Sequence, residues 1–170
     1  MTRDEERVRH RIARATDEGA ILRLGGEIVR ARAFGYPPER VSSDEASVRR
    51  WLGEADALMI GVGTVDKRLV AYARLEEPDP RAREFLDESK WLEISRLLVD
   101  PSWRGRGVGA GMLEWLECSR TGEYKLALVV LESNQPARAL YLKEGWVERG
   151  AFLARDKVGE MAIVMAKEMG

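Results

Sequence analysis

The stretch Arg104-Gly105-Arg106-Gly107-Val108-Gly109 lies between an apolar run, Ile94 to Val99, and an amphipathic run that starts at Val108. Three glycines and two arginines at such a strand-to-helix junction predict a backbone cradle for a phosphorylated ligand. Glycines allow main-chain N–H groups to close on an anion, and the N-terminus of a helix adds partial positive charge. The stretch therefore predicts a phosphate-bearing ligand before any catalytic residue is identified.

The patterns on both sides of the cradle predict a mixed sheet with helices on its faces. The predicted order is β-α-α-β-β-β-α-β-α-β-β, which fits an α/β (α+β) fold in one domain over residues 1–170. The strands are predicted at residues 8–13, 57–65, 69–75, 91–99, 126–131, 146–153 and 160–166. The helices are predicted to start at Thr16 as an N-cap, at Ser42 in a capping box with Glu45, at Val108 and at Pro136.

Composition excludes several classes of protein. Of the 170 residues 45% are hydrophobic and 34% are charged, as in globular proteins, and a net charge of −1 gives no global field that attracts nucleic acid. With Cys118 and His10 as its only cysteine and histidine, the chain has neither a disulfide framework nor a Cys- or His-rich metal site. Cys118 is expected to be a packed residue of a helix. No apolar run approaches the roughly 20 residues of a membrane span. We therefore expect a cytoplasmic protein with no metal, nucleic acid or membrane partner.

The cradle alone is ambiguous, because Walker loops and dinucleotide-binding loops also hold phosphate groups with a glycine-rich backbone. A Walker loop needs Gly-Lys followed by Ser or Thr, which this stretch lacks. A dinucleotide fold places its glycines after the first strand of a βαβ unit, whereas this cradle follows the fourth predicted strand. Both nucleotide interpretations are weakened by that placement.

Two motifs resemble those of the GNAT superfamily, the acyl-CoA-dependent N-acetyltransferases. The first family pattern, Gln or Arg, two residues, Gly, one residue, then Gly or Ala, is matched by Arg104, Gly107 and Gly109. The second, Asn-x-x-Ala-x-x-x-Tyr-x-x-x-Gly-aromatic, is matched by residues that follow the fifth predicted strand: Asn134, Ala137, Tyr141, Gly145 and Trp146. The predicted element order is also the family's order. The resemblance implies a mostly antiparallel sheet of about seven strands, splayed between strands 4 and 5, with four helices on its faces.

The resemblance also implies where acetyl-CoA, or another acyl-CoA, binds. The pantetheine arm would lie along the fourth strand and contact Asn134 and Ala137. Its strand contacts would be main-chain groups of Leu97, Leu98 and Val99. The pyrophosphate would be held by the amides of Arg104, Gly105, Arg106, Gly107, Val108, Gly109 and Ala110.

Two residues are candidates for the chemistry. Tyr141 shares a helix face with Ala137, the face that meets the sulfur in the family, so its phenol is the candidate general acid. Glu93 interrupts the apolar fourth strand, where a carboxylate is costly unless it faces a cleft, and is the candidate general base. Ser95 shares the face of Glu93 by strand alternation. Two simpler interpretations stay open: Tyr141 as a packed aromatic residue, and Glu93 as a structural carboxylate paired with Arg96.

The acceptor is less well defined. In the family the loop between the first two helices forms part of the acceptor lip, which here contains Phe34 and Tyr36, with the acidic segment 76–87 opposite. Aromatic and acidic groups favour a cationic amine of a small molecule or a peptide. Three functions remain: an N-acetyltransferase, a non-catalytic acyl-CoA-binding module, and an acyltransferase for longer acyl chains or hydroxyl acceptors. A homodimer through residues 146–169 is an open prediction.

Overall fold

A computed structural model describes residues 7–30, 60–119, 123–154 and 159–167. These residues contain seven strands: β1 (Arg9–Ile12), β2 (Ile60–Val65), β3 (Arg68–Glu76), β4 (Lys90–Val99), β5 (Tyr124–Leu131), β6 (Trp146–Leu153) and β7 (Met161–Lys167). They also contain four α-helices: α1 (Glu18–Arg30), α2 (Pro80–Arg83), α3 (Val108–Ser119) and α4 (Gln135–Lys143). Short 3-10 turns at Ala15–Asp17 and Pro101–Trp103 precede α1 and the glycine cradle.

The strands form one mixed sheet in the order β1-β2-β3-β4-β5-β7-β6. The β1–β2, β2–β3, β5–β7 and β6–β7 pairs are antiparallel, and β4 pairs with β5 in parallel. The parallel pairing runs from Lys90 opposite Tyr124 to Ile94 opposite Leu128, whereas β4 continues to Val99. The predicted fold class is confirmed, and the pairing of these two strands stops partway along both, as a splayed pair requires.

The chain divides into two compact units, each built from two stretches of sequence. In the first unit, whose described residues are 7–30, 60–74 and 96–116, an apolar cluster joins α1 to the sheet. Its fully buried members are at most 6% exposed: Ile21, Leu24, Val62, Leu69 and Tyr72. Ile21 and Leu24 share one face of α1 by helical spacing. Leu69 and Tyr72 are three residues apart in β3, and the bulge in the β2–β3 pairing, which sets them opposite Thr64 and Val62, brings both to one face. The single domain over 1–170 stays a prediction.

Two local predictions in the first unit have different outcomes. The predicted hairpin is confirmed, and its turn residues Asp66 and Lys67 have φ values of 47° and 64°. The predicted N-cap at Thr16 is wrong, because α1 begins at Glu18 after the 3-10 turn. The carboxylate of Asp17 closes this corner instead: it accepts the backbone N–H of Arg14 at 2.7 Å.

The second unit contains residues 75–95, 117–119, 123–154 and 159–167 of the described chain. Trp91, Ala127 and Ala166 are buried together, with Leu86 packed against them. In β5 most of the apolar run is buried, and the strand lies between its partners β4 and β7.

The acidic segment before β4 was predicted as a loop or short helix, and it contains the four-residue helix α2. Asp79 caps α2, since its carboxylate accepts the N–H of Arg81 at 2.8 Å. Cys118, predicted to be packed, is exposed near the end of α3. The helix predicted from Ser42 lies outside the described residues.

Candidate functional site

The cradle of the first unit is anchored at its upstream end by Asp100. The Asp100 N–H donates to the carbonyl of Val70 at 2.7 Å, which ties the end of β4 to β3. Its buried carboxylate accepts the N–H and hydroxyl of Ser102 at 2.9 and 2.7 Å and the Arg68 guanidinium at 3.2 Å. Burial works to raise the pKa of Asp100, but these hydrogen bonds and the Arg68 charge outweigh it and hold the pKa below its usual value. The carboxylate is therefore charged, and it fixes where the cradle starts.

The cradle itself depends on two left-handed glycines. Gly105 and Gly107 have φ values of 73° and 77°, which L side chains rarely adopt. A Cβ built on either glycine meets no heavy atom within 4 Å, so the space above the loop is open. Packing therefore does not explain why these positions are glycine, whereas the loop conformation and the open approach to its backbone do.

Helix α3 presents free amides directly after these glycines. Its first backbone hydrogen bond runs from the N–H of Gly111 to the carbonyl of Gly107 at 2.9 Å. The amides of Val108, Gly109 and Ala110 precede it and have no acceptor within the helix. An open glycine loop followed by free amides at a helix N-terminus fits a pyrophosphate. Within α3 the side chain of Val108 is buried, so only its amide can serve a ligand.

The two cradle arginines have separate contacts. The Nε–H of Arg104 donates to the carbonyl of Val99 at 3.4 Å, and the guanidinium of Arg106 lies 4.7 Å from the ring centroid of Trp103. Both arginines are exposed. Of the residues predicted to line the pantetheine, Leu97 and Val99 are half-buried, and Leu98 packs against the cluster formed by α1 and the sheet.

The second motif lies in the second unit and is organised around α4. Asn134 is the N-cap: its Oδ1 accepts the N–H of Ala137 at 3.4 Å. Asn134 therefore acts as a helix cap, a position that Asn favours. Its side-chain amide nitrogen donates to no protein atom among the described residues, and the half-buried side chain leaves this donor accessible to solvent or to a ligand. Gly145 ends α4 with a φ of 87°.

Tyr141 is buried, with 9% of its surface exposed. Its ring lies against Trp146, with ring centroids 6.2 Å apart and planes at 57°. Trp146 is 2% exposed, and its indole N–H has no hydrogen-bond partner in the part of the chain that the structure describes. The aromatic residue of the motif thus supports the ring of the candidate acid.

Glu93 lies in the same unit and is also buried, at 6% exposure. It faces Ala127 across the parallel β4–β5 pair. Two residues further along β4, the hydroxyl of Ser95 donates to Oε2 of Glu76 at 3.0 Å. Glu76 ends β3, and β-strand alternation gives Ser95 and Glu93 the same face. The β3 and β4 strands of this unit therefore carry two carboxylates and a hydroxyl, of which the hydroxyl of Ser95 and the carboxylate of Glu76 are hydrogen-bonded.

Two contributions were missed from the sequence. The first is Asp100, which follows the fourth predicted strand directly; in the pattern Asp-Pro-Ser the Asp carboxylate accepts the N–H two residues on. The second is Lys167, whose Nζ donates to the carbonyl of Glu144 at the end of α4 and lies 3.7 Å from Oε1 of Glu117. No local sequence pattern predicts this contact, because Lys167 and Glu144 are far apart in sequence.

Some predictions are not addressed by the described residues. Phe34 and Tyr36, the predicted acceptor lip, lie outside them. Within the described ranges, no cluster of three or more His, Cys, Asp or Glu could hold a metal ion. No helix in those ranges is both long enough and apolar enough to cross a membrane.

Comparison with known proteins agrees with this geometry. The sequence model of the Acetyltransferase (GNAT) family matches residues 26–146. Among proteins with curated descriptions, none matches the sequence.

Three solved structures share the fold, and each covers 95% or more of this chain. A GNAT-family acetyltransferase from Bacillus cereus has a TM-score of 0.71 and 14% identity, with 95% of this chain and 97% of that chain covered. PaiA N-acetyltransferase from Thermoplasma acidophilum, solved with coenzyme A, has a TM-score of 0.73 and 16% identity, with 96% and 99% covered. The ribosomal-protein-S18-alanine N-acetyltransferase from Escherichia coli has a TM-score of 0.68 and 22% identity, with 96% and 97% covered. On the family match over more than half of its length, this chain belongs to the GNAT family of acetyltransferases.

Proposed function

We propose that this acetyltransferase moves an acetyl group from acetyl-CoA to a primary amine of a small molecule or peptide, in the cytoplasm, by direct attack in a ternary complex. The observation that supports acetyl-CoA as the donor is the open loop of Gly105 and Gly107, which is followed by the free amides of α3. A coenzyme A complex of PaiA, a protein of the same fold, supports this choice of donor.

The cradle amides from Arg104 to Ala110 would hold the pyrophosphate, and the amide nitrogen of Asn134 would donate to the pantetheine arm. Acetyl-CoA supplies a thioester, whose acyl carbon accepts the amine nitrogen. Holding both reactants close can remove much of the barrier by itself. The peptide amine is included among acceptors because one relative of the same fold is an N-acetyltransferase for an alanine of a ribosomal protein.

Acetyl transfer forms a C–N bond and breaks a C–S bond, so the amine loses a proton and the departing thiolate gains one. Glu93 is the proposed acceptor of the first proton, since it is the buried carboxylate of β4. Tyr141 is the proposed donor of the second, since its phenol is held by α4 and by the Trp146 ring. Both groups belong to one compact unit.

The test is release of free CoA thiol from acetyl-CoA with a panel of small amines and peptides that have free N-termini or lysines. We expect turnover with at least one amine and none with the matching alcohols. Binding of acetyl-CoA without turnover by any amine would favour a non-catalytic module. Turnover only with longer acyl donors or with hydroxyl acceptors would favour the third function.

The residue assignments have their own test. Tyr141→Phe should lower kcat by about 10²- to 10⁴-fold, the usual contribution of a general acid, with little change in KM for acetyl-CoA. Tyr124→Phe, which removes a hydroxyl from a tyrosine on β5 beneath Lys90, is the matched control and should leave kcat unchanged. Glu93→Gln should also lower kcat and remove the acidic limb of its pH profile. Unchanged kcat in both Tyr141→Phe and Glu93→Gln would refute the assignments and leave the fold intact.

A further inference from the structure

A cavity of about 470 Å³ lies beside β1 in the first unit, and the proposed acetyl transfer does not use it. It is lined by Arg7, Val8, Arg9, His10 and Trp115. Its volume falls within the roughly 300–1,000 Å³ of small-molecule sites. Among the described residues, the lining combines aromatic rings with two cations and contains no carboxylate.

The aromatic wall of this cavity is closely packed. The imidazole of His10 lies over two glycines, Gly63 of β2 and Gly111 of α3, whose built Cβ atoms would come within 3.6 and 3.4 Å of its ring. The indole of Trp115 stacks on the imidazole, with centroids 6.1 Å apart and planes at 22°. Glycine at both positions leaves room for the imidazole to fill, so the rings are held in place before any ligand arrives.

The imidazole contributes a ring surface rather than a charge. Burial lowers the pKa of His10, and the nearby carboxylate of Glu114 only partly opposes this shift. Its Nε2 is buried and has no hydrogen-bond partner among the described residues. At neutral pH the wall therefore presents two uncharged aromatic rings.

The positive charge comes from Arg7 and Arg9. Both are exposed, and within the described part of the chain neither guanidinium has a hydrogen bond or an ion pair. The next arginine of the strand differs: Arg11 is bound by Asp17 through two bonds of 2.7 and 2.8 Å. Counted over the described residues that line the cavity or act on its wall, the two arginines and the carboxylate of Glu114 leave a net positive charge.

We propose that this cavity binds a small planar aromatic anion, whose ring packs against Trp115 and whose carboxylate or phosphate pairs with Arg7 and Arg9. A guanidinium fork binds either group through two parallel hydrogen bonds, and an indole face favours a flat ring. The proposal does not rest on the proposed transfer, and no residue that lines the cavity is assigned a part in that reaction.

The experiment is calorimetric titration of the full chain with 1-naphthoate and with 1-naphthyl phosphate, which distinguish the two anions. We expect at least one of them to bind with a Kd of about 1 mM or tighter at low salt. The uncharged 1-naphthamide should bind at least about tenfold more weakly. Acetate and inorganic phosphate, which lack a ring, should not bind measurably. Saturating CoA should leave the Kd unchanged.

Variants then locate the binding. The double variant Arg7→Gln with Arg9→Gln should raise the Kd for the probe by about tenfold or more, and so should Trp115→Leu. Trp115→Phe keeps a ring and should retain most of the affinity, which guards against a folding defect in the leucine variant. Arg23→Gln, at an exposed arginine of α1, is the matched control and should leave the Kd unchanged. No binding by either probe, an equal Kd for the arginine double variant, or displacement by CoA would overturn the proposal.

Discussion

Replacing Gly107 by alanine separates the conformational role of the cradle from its role in binding. Gly107 and Gly159 form a matched pair, because their φ values are 77° and 80° and a Cβ on either meets no atom within 4 Å. A left-handed non-glycine residue costs about 1–2 kcal/mol, and part of this is offset by the lower entropy of alanine in the unfolded chain. We expect Gly107→Ala and Gly159→Ala each to lower the free energy of unfolding by about 1 kcal/mol. For a chain of this size that corresponds to a fall in Tm of about 2–4 °C.

Binding of CoA should then distinguish the two variants. The methyl group of Gly107→Ala enters the open space above the cradle, so it should cost at least one charge-assisted hydrogen bond, about 1.5–3 kcal/mol. The Kd for CoA, measured by calorimetry, should rise by about ten- to hundredfold, since each 1.4 kcal/mol is about tenfold. Gly159→Ala should keep the Kd of the unaltered protein. Equal destabilisation of both variants with an unchanged Kd in Gly107→Ala would refute the assignment of the cradle.

Two further changes test stability. The hydrogen bonds from Arg11 hold the pKa of Asp17 below its usual value. The stabilisation that the Asp17 carboxylate gives the folded state is therefore complete above the unfolded pKa of about 3.9, and it is lost as pH falls through the lower folded pKa. The gap in urea-unfolding free energy between the unaltered chain and Asp17→Asn should therefore narrow as pH falls below about 4, and a gap that stays constant would contradict this. Lys167→Met removes the ammonium that binds the carbonyl of Glu144, and it should lower the free energy of unfolding by about 1.5–3 kcal/mol. Glu117→Gln removes the carboxylate that lies 3.7 Å from this ammonium. This partly exposed ion pair should contribute less than about 1 kcal/mol, so an equal loss in both variants would assign the effect to Glu117.

The periodic parts of the sequence predicted most of the described fold. In α3 the predicted apolar face is buried at every position: Val108, Met112, Leu113 and Leu116. The continuous apolar run of β5 gave a strand buried between two neighbours, and Asp66-Lys67 gave a hairpin turn. These features depend on local spacing and on one buried face, which a sequence expresses directly.

Features that depend on distant partners were not predictable in this way. At the start of α1 the sequence predicts Thr16 as the cap, whereas Asp17 closes the corner because Arg11 of β1 and the Arg14 amide both bind its carboxylate. The bond from Ser95 to Glu76 joins residues of two strands and has no local signal. Polar contacts of this kind need the register of the sheet before they can be identified.

The cradle uses its backbone and its side chains differently. The guanidinium of Arg104 already donates to a carbonyl at the end of β4, and that of Arg106 already lies on the Trp103 ring. The amides that follow Gly107 have no acceptor in α3, so they can bind an anion without breaking a contact of the protein. In the proposed complex the arginines would attract the pyrophosphate through their charge while keeping these contacts, whereas the amides would bind it directly. Affinity for the donor should therefore depend more on the loop conformation at Gly107 than on either arginine, although the arginines are the charged residues of the motif.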